Sequence, residues 1–158
     1  MQPRKNHSDN EAAQEALASP RPIRVLLASR EIAERLGLAT IITAQTDMEL
    51  VAQAARVEET AGLLKQHAPH VAVIDAGLLA TDVLAEVRHL ARRQPPMRLL
   101  VLVMHIEGEG QRRALQAHAQ GILLRGMEYR DLLQAIRTVH RGDLYAPAMV
   151  ATREFEQD

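Results

Sequence analysis

From residue 23 onward the chain alternates, five times over, between a short run of Val, Ile, Leu and Ala and a longer stretch with apolar residues three to four apart. The short runs fall at 23–28, 48–54, 70–75, 97–104 and 121–125, and the helical stretches at about 31–45, 57–67, 82–93, 107–119 and 128–141. Runs one, three and four are apolar on both faces of a strand, as a parallel sheet covered by helices on each side requires. The pattern predicts an α/β fold, a doubly wound five-stranded parallel sheet flanked by five helices with right-handed crossovers. In such sheets function sits beyond the carboxyl ends of the strands. That rule selects Ser29 and Arg30 after the first strand, Asp75 after the third, Val103 ending the fourth and Arg125 after the fifth.

Composition removes several classes of function. Tyr129, Tyr145 and Phe155 are the only aromatic residues, so bases have no stacking platform and a flavin has nothing to sandwich it. A net charge of −1 gives no overall electrostatic footprint for nucleic acid or anionic lipid. With no cysteine there is no disulfide, thiol nucleophile or zinc ribbon. Seven histidines (His7, His67, His70, His89, His105, His118 and His140) show no metal-ligand spacing, and "EGEGQ" at 107–111 lacks the Lys-Ser/Thr of a phosphate loop. No apolar stretch has the length of a membrane span or the character of a signal peptide, so a cytoplasmic location is expected.

Residues 1–22 are polar and punctuated by Pro, and are expected to form a flexible N-terminal extension. The folded domain is expected over 23–145. Residues 146–158, after the helix stop at Gly142, read as a linker.

Asp75 closes the run "HVAVID" and is the sharpest chemical candidate, because a carboxylate at a strand's carboxyl edge is rigidly held. Position alone leaves two readings open, a nucleophile toward phosphorus or a residue that caps a turn and pairs with an arginine. Phosphoryl transfer would need Mg²⁺ held by further carboxylates. Glu31 is the only acid expected nearby, and it stands where a helix begins and an acid suits the helix dipole.

"IRVLLAS", "PHVAVID", "RLLVLVMH", "ALQAHAQGILLR" and "DLLQAIRTVHRGDLYAP" follow one another in an order and spacing that resemble a response-regulator receiver domain of the NarL/FixJ (LuxR-type) subfamily. The resemblance runs from Ile23 to about Val150. It implies a flavodoxin-like sheet of strand order 2-1-3-4-5, and a two-component signalling role rather than an enzymatic one. Carried over residue by residue, Asp75 matches the phosphoacceptor. Ser29 and Arg30 stand where the family has two acidic Mg²⁺ ligands, Val103 where it has a hydroxyl, Ile122 where it has an aromatic switch residue, and Arg125 where it has a lysine. Leu79 replaces a proline in the turn that follows.

Those exchanges make the chain resemble an atypical, phosphorylation-independent pseudo-receiver. No cofactor is expected, Mg²⁺ being lost, and Asp75 is expected to pair with Arg30 and Arg125. The glycines in "EGEGQRRAL" predict a frayed or displaced start to the fourth helix, with an ordinary variable loop as the alternative. In the first helix Leu38 and Ile41 are expected in the core, whereas Ile32 and Leu36 form an extra apolar stripe. Because receivers of this subfamily often pair through helices 1 and 5, a homodimer there is the expected use of that stripe. DNA would be reached only through a helix-turn-helix effector absent from these residues. Two alternatives stay open: a phosphorylation-competent receiver using Asp75 with a non-standard Mg²⁺ site through Glu31, and a small-ligand binder using the same crevice.

Overall fold

A computed structural model describes residues 21–105 and 107–146. The expected extension and linker lie outside these, apart from residues 21, 22 and 146.

Five strands, β1 (Ile23–Ala28), β2 (Met48–Ala54), β3 (Val71–Asp75), β4 (Arg98–Val103) and β5 (Gly121–Leu124), form one sheet in the order β2-β1-β3-β4-β5. Every pairing is parallel. Five helices connect and follow them: α1 (Ile32–Thr43), α2 (Val57–His67), α3 (Thr81–Ala91), α4 (Glu109–Gln116) and α5 (Tyr129–His140). A turn of 3₁₀ helix, Ala76–Leu78, follows β3. This is the α/β, flavodoxin-like arrangement expected from the sequence.

Alternate residues of β1, β3, β4 and β5 sort onto two cores, whereas in β2 a register shift moves Ala52 and Ala54 to the face opposite Met48 and Leu50. Leu26, Ala72, Ile74, Leu99, Val101 and Ile122 pack with Leu64 of α2, Val83, Val87 and Leu90 of α3, and Ala114 of α4. Val25, Leu27, Val73, Leu100, Leu102 and Leu123 pack with Leu38 and Ile42 of α1 and with Leu132, Ala135, Ile136 and Val139 of α5. The two-residue period of a strand thus supplies both faces at once, leaving the strand ends as the places where polar groups can gather.

Helix boundaries follow local chemistry. In α5 the buried positions 132, 135, 136 and 139 have i, i+3, i+4, i+7 spacing, and Gly142, at φ +94°, follows the helix in the left-handed region. In α1 it is Ile42, not Ile41, that is fully buried; Ile42 lies one turn beyond Leu38 on the same face, and Ile41 is half-buried beside it. The start of α4 is shorter than the apolar pattern suggests. It begins at Glu109, after Gly108 at φ +119°, and Gly110 lets the helix press on β4, since a Cβ there would lie 3.1 Å from Val103 Cγ1. Gly110 therefore favours the close contact between α4 and the sheet, while Gly108 supplies the positive-φ turn before the helix.

Candidate functional site: a carboxylate between two arginines

Asp75 ends β3, paired in register with Leu102 in the middle of the sheet. Its backbone leaves the strand into the 3₁₀ turn, and Gly77 N–H donates to Asp75 Oδ1 at 3.0 Å. Capping the turn fixes one oxygen. The other, Oδ2, accepts from Arg30 Nε at 3.2 Å and from Arg125 Nη2 at 2.5 Å. Arg30 follows β1 and Arg125 follows β5, so three strand ends converge on one carboxylate. The Asp75 side chain is 4% exposed, Arg125 15% and Arg30 56%. Arg125 is thus the inner partner and Arg30 the outer one, closing over Asp75 from solvent.

Burial pushes the Asp75 carboxyl upward, but the Gly77 N–H and the charges of Arg125 and Arg30 outweigh it and hold the group below the ordinary carboxylate range. Asp75 is ionised and neutralised by protein groups.

Arg125 has a second acid beside it. Its Nε lies 3.3 Å from Glu34 Oε2, an ion pair without hydrogen-bonding angles. Glu34 Oε1 in turn accepts from Ser29 Oγ at 3.0 Å, and Ser29 O accepts from Arg35 Nη1 at 2.8 Å. A continuous chain of polar contacts therefore runs Arg30, Asp75, Arg125, Glu34, Ser29. It ties β1, β3, β5 and α1 together at one end of the sheet.

Each residue singled out from the sequence has a defined place. Ser29, Arg30, Asp75 and Arg125 belong to this chain of contacts. Val103 and Ile122 are buried in the core on the α2, α3 and α4 side. Leu79, buried, follows the 3₁₀ turn. Ile32 and Leu36 stand outside the core on α1, 65% and 56% exposed. Glu31, expected as the nearby acid, caps α1, and its backbone N–H donates to Ser29 Oγ at 3.3 Å. The acid that takes part is Glu34, one turn further on, which sequence reasoning missed. Its only signal was the spacing from Ser29, and a helix dipole already accounts for an acid in a first turn.

Gly77 was also missed. A Cβ on it would stand 2.1 Å from Arg30 Nη2, so the guanidinium lies flat against a residue that has no side chain. Above the carboxylate opens a crevice of about 450 Å³, with Arg30, Arg113, Arg125, His105 and Met104 on its walls. Among the described residues no group of three or more His, Asp or Glu is placed to hold a metal ion. No described helix is long and apolar enough to cross a membrane.

Comparison with known proteins agrees with this frame. The model of the response regulator receiver domain family matches residues 25–137. The oxygen regulatory protein NreC of Staphylococcus carnosus is 30% identical over 137 residues, covering 82% of this chain and 60% of that protein. The chain therefore spans about three fifths of the length of such curated relatives. Among solved structures, a LuxR-family two-component response regulator from Aurantimonas sp. superposes with a TM-score of 0.70 at 24% identity, over 86% of this chain and 97% of that one. The signal receiver domain of the putative response regulator NarL from Mycobacterium tuberculosis gives 0.67 at 24% identity, over 78% and 99%. Fold and sequence similarity agree that this chain belongs to the response regulator receiver domains, the signalling modules of two-component systems.

Proposed function

We propose that this chain is a pseudo-receiver, a receiver domain that signals by protein contact without being phosphorylated. The observation that carries the reading is the double grip on Asp75 Oδ2 by Arg30 and Arg125. A carboxylate nucleophile needs a free lone pair and a nearby cation that can also hold the incoming phosphoryl group. Here Oδ2 is engaged by two guanidinium groups and Oδ1 by the Gly77 N–H. The donors do not fit Mg²⁺ either. Arg30 puts a positive charge where a metal would need an oxygen, and Ser29 Oγ donates to Glu34. The internal ion pairs neutralise Asp75 as a metal otherwise would, and so hold the domain in one state.

Output then depends on surfaces. Ile32 and Leu36 on α1 stand near a groove lined by Gly37, Leu38, Met127 and Tyr129, between α1 and the start of α5. An apolar stripe of this kind suits a second copy of the chain, giving a homodimer through α1 and α5. By analogy with relatives named as regulatory proteins, and with RcsB dimers seen bound to DNA, the dimer would serve an effector domain that contacts DNA.

The test is incubation with a small phosphodonor and Mg²⁺, followed by intact-mass spectrometry. The unmodified mass is expected throughout. Efficient phosphate gain that disappears in Asp75→Asn would overturn the proposal in favour of a phosphorylation-competent receiver.

A further inference from the structure

The opposite end of the sheet carries a second gathering of charge that the receiver site does not use. Residues 88–98 contain Arg88, Arg92, Arg93, Arg98 and His89 and no acid. Arg93 shares a cavity of about 210 Å³ with Arg24 of β1 and His70, floored by Leu90, Pro69 and Pro95. That is several times the ~30 Å³ occupied by a water molecule. Cations near helix carboxyl ends are common because the helix dipole favours them. Arg24 and Arg98 are strand residues that reach such helix ends from the sheet, Arg24 at the end of α2 and Arg98 beside Gly142 after α5. None of Arg24, Arg93 and Arg98 forms an ion pair with a carboxylate among the described residues.

The groups are held in place. Arg24 Nη1 donates to Ala68 O at 3.2 Å, which pins the guanidinium against the end of α2. Arg24 N–H donates to His70 Nδ1 at 3.0 Å, so the neutral imidazole carries its proton on Nε2 and is itself a donor. Arg98 N–H donates to His70 O at 2.9 Å, and the His70 and His140 rings lie 5.5 Å apart.

We infer that this cavity is a binding site for a tetrahedral dianion of the phosphate or sulfate class, received by Arg24, Arg93 and His70 with Arg98 and His140 behind them. Such an anion takes several charge-assisted hydrogen bonds from guanidinium and imidazole donors. Burial, and then the charges of its neighbours, holds each imidazole below the ordinary histidine value: His140 and Arg24 act on His70, and Arg98 on His140. An anion offsets those charges, and because His70 Nδ1 is held as an acceptor by the Arg24 N–H, the proton is taken up by His140, so binding tightens as pH falls. The titratable and charged groups at this edge are Arg24, Glu49 beside it on β2, Asp47 paired with Arg137, His67, Arg93, Arg98, His140, and Asp143 after the Gly142 that packs near Arg98. None of these acids forms an ion pair with Arg24, Arg93 or Arg98, and all of them oppose the anion.

Sulfate is the probe, because it stays a dianion from pH 6 to 8 and any pH dependence belongs to the protein. Sulfate is titrated into the full chain while the His70 and His140 imidazole resonances are followed by NMR, against sodium chloride of equal ionic strength. Saturable shifts with sulfate alone, tighter at pH 6 than at pH 8, are expected. Arg93→Gln, at an exposed residue without an ion pair, should weaken binding about tenfold without loss of fold. Shifts that follow ionic strength equally in chloride, or that survive Arg93→Gln unchanged, would overturn the site. Inorganic phosphate and glycerol phosphate distinguish the sources. Tighter binding of the ester points to the phosphate group of a larger ligand, equal binding points to the free anion, and both uphold the site.

Discussion

Arg125 Nη2 lies 2.5 Å from Asp75 Oδ2, bridging β5 and β3 across the end of β4, the strand that lies between them. Because Arg125 is only 15% exposed and also faces Glu34, its removal uncovers two carboxylates at once. Arg30 and the Gly77 N–H remain on Asp75, which limits the loss. Arg125→Ala is expected to cost about 2–3 kcal/mol, read as a lower urea midpoint at an unchanged m value. A loss below about 0.5 kcal/mol, the range of ordinary surface substitutions, would mean that the ion pair contributes nothing to holding the strand ends together.

Gly77 and Arg30 are coupled by space rather than charge. A methyl group on Gly77 would occupy the position of the Arg30 guanidinium, and the exposed Arg30 can swing into solvent to relieve the clash. Gly77→Ala should therefore cost about 1 kcal/mol in the natural background and close to nothing in an Arg30→Ala background. Urea denaturation of the four proteins of the cycle measures the difference. Equal costs in both backgrounds would place the effect of Gly77 elsewhere.

Acid should unfold the domain in two stages. The His70 imidazole, held below its ordinary 6.5, binds protons more readily in the unfolded chain; the stability it contributes is complete above that pH and is lost as pH falls through the lower folded value. Asp75, below its ordinary 3.8, contributes stability above that pH and loses it in the same sense at lower pH. A Tm series from pH 8 to 3 should show both declines. Asp75→Asn should reduce the second stage, to which Asp47 and Glu59 also contribute, and leave the first unchanged.

The exposed apolar stripe on α1 makes a separate prediction. Leu36→Glu places a charge in an apolar patch that supports no core packing, so the fold should survive while self-association is lost. Light scattering with size-exclusion chromatography should give a dimer for the natural chain at high concentration and a monomer for the variant. A natural chain that stays monomeric would leave the stripe to a different partner.

How far the sequence can be read depends on which interactions decide each feature. The sheet was legible because strands buried on both faces must be continuously apolar, and Asp75 was legible because a lone carboxylate ending such a run has few structural reasons to be there. Arg30 and Arg125 could be placed on Asp75 because both follow strands that end at the same edge. Glu34 could not. It sits one turn into a helix, and whether it points at Ser29 or at solvent depends on how α1 is rotated against the sheet. Gly77 was hidden for a similar reason: its lack of a side chain matters only once the path of Arg30 is known. Glycine inside α4 suggested fraying, whereas Gly110 is needed for a close approach to Val103. Backbone proximity of that kind has no periodic signature.

A pseudo-receiver of this kind requires that protein cations hold Asp75 ionised and leave no place for a metal. The most direct measurement is the pH titration of the Asp75 side-chain carbonyl by ¹³C NMR, with and without millimolar Mg²⁺. The account predicts a midpoint below the ordinary 3.8 that does not move with Mg²⁺ and rises when Arg125 is replaced by alanine. A saturable, Mg²⁺-dependent shift of that resonance at neutral pH would contradict it, because it would place a metal where Arg30 and Arg125 now stand.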